Sequence, residues 1–120
     1  MKRDMDLMRA VLMEIEKAPF DGGFLDISVP GHSSEEISYH ILLMHEARLI
    51  EAVDLSSLDG VCWKPKRLTY EGHEFLDAAR NDTFWKKAKD KVTTSTGALT
   101  LEGLKIALSA LMKHAITGGM

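Results

Sequence analysis

Five side chains in two short segments of the sequence have the chemistry of nucleic-acid contact. Lys64, Lys66 and Arg67 cluster within four residues, and their ammonium and guanidinium groups are suited to phosphate oxygens. Ser38 and Tyr39 lie upstream in a segment with helical spacing, and their hydroxyls could reach base edges in a major groove. These residues predict a contact with double-stranded DNA, with the basic cluster on the backbone and the hydroxyls on the bases.

The same segments also allow a second interpretation. Lysine and arginine on the edge of a hairpin are a common protection against pairing with another strand. Glu35 and Glu46 share the helix face with the two hydroxyls and would lie near phosphates. Leu42 on that face offers bases only an apolar contact, for instance with a thymine methyl. A protein partner bound through this acidic helix face is therefore the alternative to DNA.

Neither a catalytic site nor a metal site is predicted. His40 and His45 are five residues apart on the predicted helix and face different ways, and no HExxH or Cys/His spacing is present. His40 is instead predicted to be a core histidine bonded to a backbone carbonyl. No phosphate-binding loop or nucleophile elbow occurs, so we expect no enzyme activity and no cofactor. The single Cys62 is predicted to be a small buried hydrophobe in a strand.

The length and composition are those of one globular domain. The chain has 120 residues, of which 45% are hydrophobic. No amino-terminal segment joins a basic start to an uninterrupted apolar stretch, so neither secretion nor membrane insertion is predicted. The expected location is cytoplasmic.

Charge is unevenly distributed around the net value of −3. Residues 18–62 carry one basic and eight acidic side chains, whereas residues 63–91 carry eight basic and five acidic ones. The basic segment therefore begins with the second half of the predicted hairpin, and the helix that holds Ser38 and Tyr39 lies in the acidic segment.

Periodicity and capping residues place the elements that must position these side chains. Asp4, Ser33, Thr69 and Thr100 each precede an apolar pattern of helical period, and Ser33 with Glu36 forms a capping box. The alternating segment 25–29 predicts a strand, and segments 52–55 and 61–68 predict a hairpin around residues 56–60. The resulting class is α+β, mainly helical, with one small hairpin.

A helical projection separates two faces of the second helix. The predicted core face consists of Ile37, His40, Ile41, Leu43, Met44 and Ala47. The opposite face, which a partner would meet, consists of Glu35, Ser38, Tyr39, Leu42, His45 and Glu46.

The carboxyl-terminal segment follows a polar break at residues 93–97, which is the predicted linker. In the helix after it, four leucines at helical spacing form a seam that needs a covering surface. The seam consists of Leu101, Leu104, Leu108 and Leu111. We expect it to form a two-fold homodimer, with packing back onto the first helix as the alternative.

Four segments together carry a family resemblance. They are residues 1–7, 37–41, 68–77 and 82–85. Their combination resembles an uncharacterised bacterial and prophage family, domain-of-unknown-function family 2513. The resemblance implies a winged-helix domain, expected here over residues 1–92, followed by a linker and carboxyl-terminal helix over residues 93–120. It implies a phage or prophage setting and no established activity, and a small DNA-binding regulator is the expected function.

Two departures from ordinary winged helix-turn-helix regulators are visible. Between Val29 and Ser33 there is no room for the helix that normally precedes the recognition helix. Arg48 stands where such regulators commonly have glycine, at a position suited to positive φ, with an expected cost of about 1 kcal/mol.

Overall fold

The protein has an α+β fold, and residues 1–118 form five helices and one small antiparallel hairpin. The structure is a computed structural model that describes residues 1–118. The elements are α1 (Met5–Lys17), α2 (Ser34–Glu46), β1 (Ile50–Asp54), β2 (Trp63–Leu68), α3 (Tyr70–Ala79), α4 (Asp82–Thr96) and α5 (Leu101–Ile116). The predicted class is confirmed, and the order of elements is consistent with a winged-helix-like arrangement.

Two compact units make up the chain. The amino-terminal unit spans Met1–Glu74 and the carboxyl-terminal unit begins at Phe75, within α3. The predicted boundary between a winged-helix domain (residues 1–92) and a carboxyl-terminal segment (residues 93–120) is a division by function rather than by compactness, and it stays a prediction. Residues 119 and 120 of the predicted carboxyl-terminal segment lie outside the described residues.

The first two helices begin at the predicted caps. The Leu7 backbone N–H donates to the Asp4 carboxylate over 3.1 Å, which satisfies one free donor of the first turn of α1. At α2 the Glu36 N–H donates to the Ser33 hydroxyl and the Ser33 N–H donates to the Glu36 carboxylate, so the capping box is complete. These bonds fix where α2 starts and hence which of its side chains face outward.

Apolar side chains of α1, α2 and the hairpin form the core of the amino-terminal unit. Its most buried members are Leu7, Val11, Leu12, Ile41, Met44, Leu49 and Ile50. Fully burying one such side chain stabilises the fold by roughly 1.5 to 3 kcal/mol, so this core anchors α2 against the hairpin.

The segment predicted as the first strand is not a strand. Side chains at residues 25–29 do alternate between half-buried and exposed, but one backbone hydrogen bond ties the segment to the hairpin, from the Leu25 N–H to the Pro65 carbonyl at 2.8 Å. Proline has no N–H to donate in return, so a ladder cannot continue through Pro65. The prediction of a strand at residues 25–29 was wrong because alternation in the sequence cannot show whether the neighbouring strand offers the backbone donors that a ladder needs.

The hairpin is confirmed, with its first strand beginning at Ile50. Ile50 pairs with Leu68 and Asp54 pairs with Trp63, with an irregularity of register between Glu51 and Ala52. Cys62 precedes β2 and is half-buried, so its predicted place inside a strand is wrong.

A strained turn joins α2 to β1. Arg48 has φ of 64°, and it is the one non-glycine residue with positive φ in the described part of the chain. The predicted conformation at this position is therefore confirmed, and the arginine side chain imposes the steric cost that glycine would avoid. Further along, the Thr69 N–H donates to the Leu49 carbonyl over 2.9 Å, and the Thr69 hydroxyl caps α3 by accepting from Gly72 N–H.

The carboxyl-terminal unit contains a helical hairpin of α4 and α5. Asn81 caps α4, which continues to Thr96 and ends at Gly97 with φ of 78°. The predicted linker at residues 93–97 is therefore helical over most of its length, because the left-handed residue that ends the helix is Gly97. Thr100 caps α5 as predicted, through its hydroxyl and the Gly103 N–H.

Candidate nucleic-acid and partner-binding surface

The basic cluster on β2 is largely neutralised within the amino-terminal unit. Lys64 forms an ion pair with Asp26 in the segment that runs beside β2. The hydrogen bond to this carboxylate raises the pKa of Lys64, and burial opposes the change more weakly. A phosphate would have to compete with Asp26 for this ammonium group.

Arg67 is paired across the hairpin. Its Nη2 donates to Glu51 Oε1 over 2.8 Å, and its Nη1 donates to the Leu68 carbonyl over 2.9 Å. Glu51 and Arg67 are direct partners in the strand register, so the geometry of the sheet itself holds the pair together. Both side chains are about half exposed, and such a pair adds roughly 0 to 1 kcal/mol to stability.

Lys66 is the member of the cluster that remains available. Its side chain is half-exposed on β2, and within residues 1–118 it forms no ion pair. Of the three predicted phosphate contacts, one is therefore presented without a competing carboxylate.

Ser38 does not lie where the helical projection placed it. It is 9% exposed, and its hydroxyl accepts a hydrogen bond from the Trp63 backbone N–H over 3.2 Å. The predicted partner-facing position is wrong because β2 covers this part of α2. Ser38 therefore holds the start of β2 against the helix, and its side chain is not exposed to a partner.

The remaining outward residues of α2 form a mixed surface. Tyr39 and Leu42 are half-buried, whereas Glu35, His45 and Glu46 are exposed. The His45 ring lies 5.4 Å from the Trp63 ring, between centroids, so the end of α2 also rests on β2. An aromatic, an aliphatic and two acidic side chains are thus presented together with the hairpin.

The loop at the end of the hairpin is apolar and acidic. Leu55, Leu58 and Val61 are 40%, 107% and 68% exposed, and we call these three side chains the hairpin-loop patch. Asp54 immediately precedes Leu55, and Asp59 immediately follows Leu58. Scattered exposed apolar residues are ordinary, whereas these three are concentrated in one short loop.

Hydrogen bonds hold this loop in one conformation. The Ser56 N–H donates to the Asp54 carboxylate over 2.9 Å, and Ser57 and Gly60 exchange backbone bonds of 3.0 Å. The Cys62 N–H donates to the Ser56 hydroxyl over 2.9 Å. The hydrogen bonds from Ser56 also lower the pKa of Asp54, so this carboxylate is charged at neutral pH. Sequence reasoning missed the patch, although Leu58 between Ser57 and Asp59 was a visible signal.

The two units have net charges of opposite sign. Residues 1–74 carry fourteen acidic and eight basic side chains, whereas residues 75–118 carry four acidic and seven basic ones. The unit that holds α2 and the hairpin is therefore the acidic one, which disfavours approach to a phosphate backbone.

His40 is a core histidine, as predicted. Its Nδ1 lies 2.7 Å from the Glu36 carbonyl, and its Nε2 accepts from the Asp4 backbone N–H over 2.8 Å. Because Asp4 donates to Nε2, the ring proton belongs on Nδ1, where it donates to Glu36. The ring joins the start of α1 to α2 and is 1% exposed, so it cannot meet a ligand.

Two further properties of the described residues bear on function. Among residues 1–118, no group of three or more His, Cys, Asp or Glu side chains is placed to hold a metal ion. No helix in the same range is both long enough and apolar enough to cross a membrane.

The predicted leucine seam of α5 is divided by the fold. Leu104 and Leu108 are 0% and 2% exposed, whereas Leu101 and Leu111 are half-buried. The two central leucines are already covered, so the prediction that all four meet a second copy is wrong in this respect.

Comparisons with known proteins give two matches. Residues 2–98 match the profile of a family described as Hypothetical protein (DUF2513). The chain is also similar to an uncharacterized protein of Haemophilus influenzae, with 40% identity over 106 residues that cover 88% of this chain and 90% of the relative. No solved structure matches the chain.

Proposed function

We propose that this chain, which belongs to the DUF2513 family of hypothetical proteins, is a winged-helix-type module that binds a protein partner through its hairpin loop and the outward face of α2. The observation that carries this proposal is the hairpin-loop patch, where Leu55, Leu58 and Val61 are exposed in an ordered loop flanked by carboxylates. A partner of matching chemistry has an apolar hollow with basic residues around it.

The charges around this surface support a protein rather than DNA. Glu35 and Glu46 are exposed on α2, and Lys64 and Arg67 are engaged by Asp26 and Glu51. A hairpin that enters a minor groove uses lysine or arginine near its tip. Here the corresponding positions hold aspartate, leucine and valine.

A small DNA-binding regulator in a phage or prophage setting is the second candidate. Lys66 favours it, since this ammonium group is unpaired in the described structure and lies on β2 with Tyr39 half-exposed on α2. Binding of this kind would be weak, because the unit is acidic and few phosphate contacts are available, and it would weaken further as the salt concentration is raised.

A gel-shift series separates the two candidates. Full-length protein is titrated into a random-sequence duplex of about 30 base pairs, at salt from about 50 to 200 mM. We expect no retardation. Retardation at low salt that disappears in the variant Lys64→Ala, Lys66→Ala, Arg67→Ala would overturn the proposal in favour of DNA.

The protein-partner proposal has its own direct test. Tagged wild-type protein and the variant Leu58→Ser, Val61→Ser are used to recover partners from cells of the source organism. We expect a partner bound by the wild type to be lost from this variant and kept by Phe20→Ser, which removes a comparably exposed apolar side chain elsewhere in the unit. Equal recovery by all three proteins would reject the hairpin loop as the contact.

A further inference from the structure

The outer face of α5 is exposed, with an acidic side chain near its start, a basic one near its end and a large apolar one between them. Glu102, Ile106, Ser109 and Lys113 lie within an arc of about 60° on a helical projection. Ile106 is 64% exposed, which is unusual for a large apolar residue in a helix that already buries Leu104 and Leu108 on its other side. We call these four residues, with Lys105 and Ala110 beside them, the α5 outer face.

This face is complementary to itself when reversed. Glu102 lies in the first turn of α5 and Lys113 in the last, about 16 Å apart along the axis. If a second α5 packs antiparallel about a two-fold axis that passes between Ala107 and Leu108, Glu102 of each copy faces Lys113 of the other. The same register brings the two copies of Ile106 beside each other across the two-fold axis, so each covers the exposed apolar side chain of the other.

A hollow lined by Glu102, Lys105, Ile106, Ser109, Ala110 and Lys113 already exists on this face. The two-fold axis passes beside the two copies of Ile106, and one Glu102 to Lys113 pair lies on either side of it, so the same residues contribute from both copies, as an isologous interface requires.

We propose that the protein forms a two-fold dimer by antiparallel packing of the α5 outer face. The proposal does not depend on what the hairpin binds. It differs from the leucine seam expected from sequence, since the central contact is between the two copies of Ile106, and Leu104 and Leu108 are buried on the other side of α5. Each complex contains two Glu102 to Lys113 pairs, which set both the direction and the register of the helices.

The test is a charge-reversal series on the full-length chain, with the dissociation constant measured by sedimentation equilibrium. We expect Glu102→Lys and Lys113→Glu each to weaken the dimer by at least about tenfold, because two attractive pairs become repulsive. Lys86→Glu, a charge reversal on exposed α4 surface, should leave the constant unchanged.

Mixing the two single variants provides the sharper measurement. A Glu102→Lys chain and a Lys113→Glu chain have opposite charges at both ends of the interface, so we expect them to form a heterodimer with affinity close to that of the wild type. The double variant should likewise dimerise with itself. Circular dichroism of each variant checks that α5 remains folded.

Three outcomes would overturn the proposal. They are a wild-type protein that is monomeric at about 100 μM, single variants that dimerise as well as the wild type, and a mixture that fails to restore association. Ile106→Glu offers an independent check, since a charge at the centre of the face should abolish the dimer without affecting the buried side of α5.

Discussion

The carbonyl oxygen of Leu49 lies far inside van der Waals contact of the position that a Cβ on Gly72 would take, and the Leu49 carbonyl carbon would be 3.0 Å from that Cβ. The same carbonyl oxygen accepts the Thr69 N–H, so it cannot move away without loss of a backbone bond. The first turn of α3 therefore packs on the turn before β1 through a glycine, backbone against backbone.

Replacing Gly72 should destabilise the amino-terminal unit. We expect Gly72→Ala to lower the free energy of unfolding by about 2 kcal/mol, because overpacking outweighs the better helix propensity of alanine. Urea denaturation followed by circular dichroism measures the change. Gly23→Ala is the control, since its Cβ would meet only the Asp21 side chain. Equal stability of the Gly72 variant and wild type would contradict the close contact.

Replacing Arg48 by glycine should instead stabilise the fold. Its φ of 64° is costly for arginine and free of cost for glycine, so Arg48→Gly should raise the free energy of unfolding by about 1 kcal/mol. Arg48→Ala removes the same charge but keeps Cβ, and should give no such gain. A comparable gain in both variants would assign the effect to charge rather than to backbone conformation.

His40 should be required for the junction of α1 and α2. His40→Leu leaves the Asp4 N–H without its partner, and we expect a loss of about 1 to 3 kcal/mol. His114→Leu, at an exposed position of α5, is the matched control. Thermal unfolding monitored by Trp63 and Trp85 fluorescence compares the two. A loss no larger than that of the control would show that the His40 bonds contribute little.

The capping box of α2 should make stability depend on pH in the acid range. The Ser33 backbone N–H, and then His32, lower the pKa of Glu36 below its ordinary value of 4.5. A lowered folded-state pKa means that the stabilisation is complete above the unfolded-state value and is lost as pH falls through the folded-state value. The expected window therefore lies below pH 4.5.

Glu36→Gln tests this window. Glutamine keeps the capping hydrogen bond but does not titrate, so the variant should lose part of the acid dependence and retain its helix start. Glu35→Gln, whose carboxylate forms no bond to the helix terminus in the described structure, should unfold with the pH profile of the wild type. Urea midpoints between about pH 3 and 7 measure both, and identical profiles for all three proteins would refute the assignment.

Features set by neighbouring residues were predictable from the sequence. The caps at Asp4, Ser33 and Thr100 depend on a side chain and a backbone group three residues away, and all three were found where expected. The positive φ at Arg48 was expected from comparison with winged helix-turn-helix regulators, which commonly have glycine at this position.

Features set by distant residues were not predictable. The periodicity of α2 cannot show that β2 covers Ser38, and the alternation of residues 25–29 cannot show that a proline stands opposite Leu25. The ion pair that engages Lys64 was not predictable for the same reason. The sequence around Lys64 does not indicate an acidic partner, because Asp26 is 38 residues away and meets Lys64 only in the folded chain.

The two units also differ in how far apart in sequence their contacting residues are, and this has a consequence for folding kinetics. The Asp4 to His40 bond closes a loop of 36 residues, whereas residues 97–100 alone separate α4 from α5. Loop-closure entropy rises with length, so the α4 and α5 hairpin should form first and the junction of α1 with α2 later. The part of the chain that is translated later should thus be the part that folds faster.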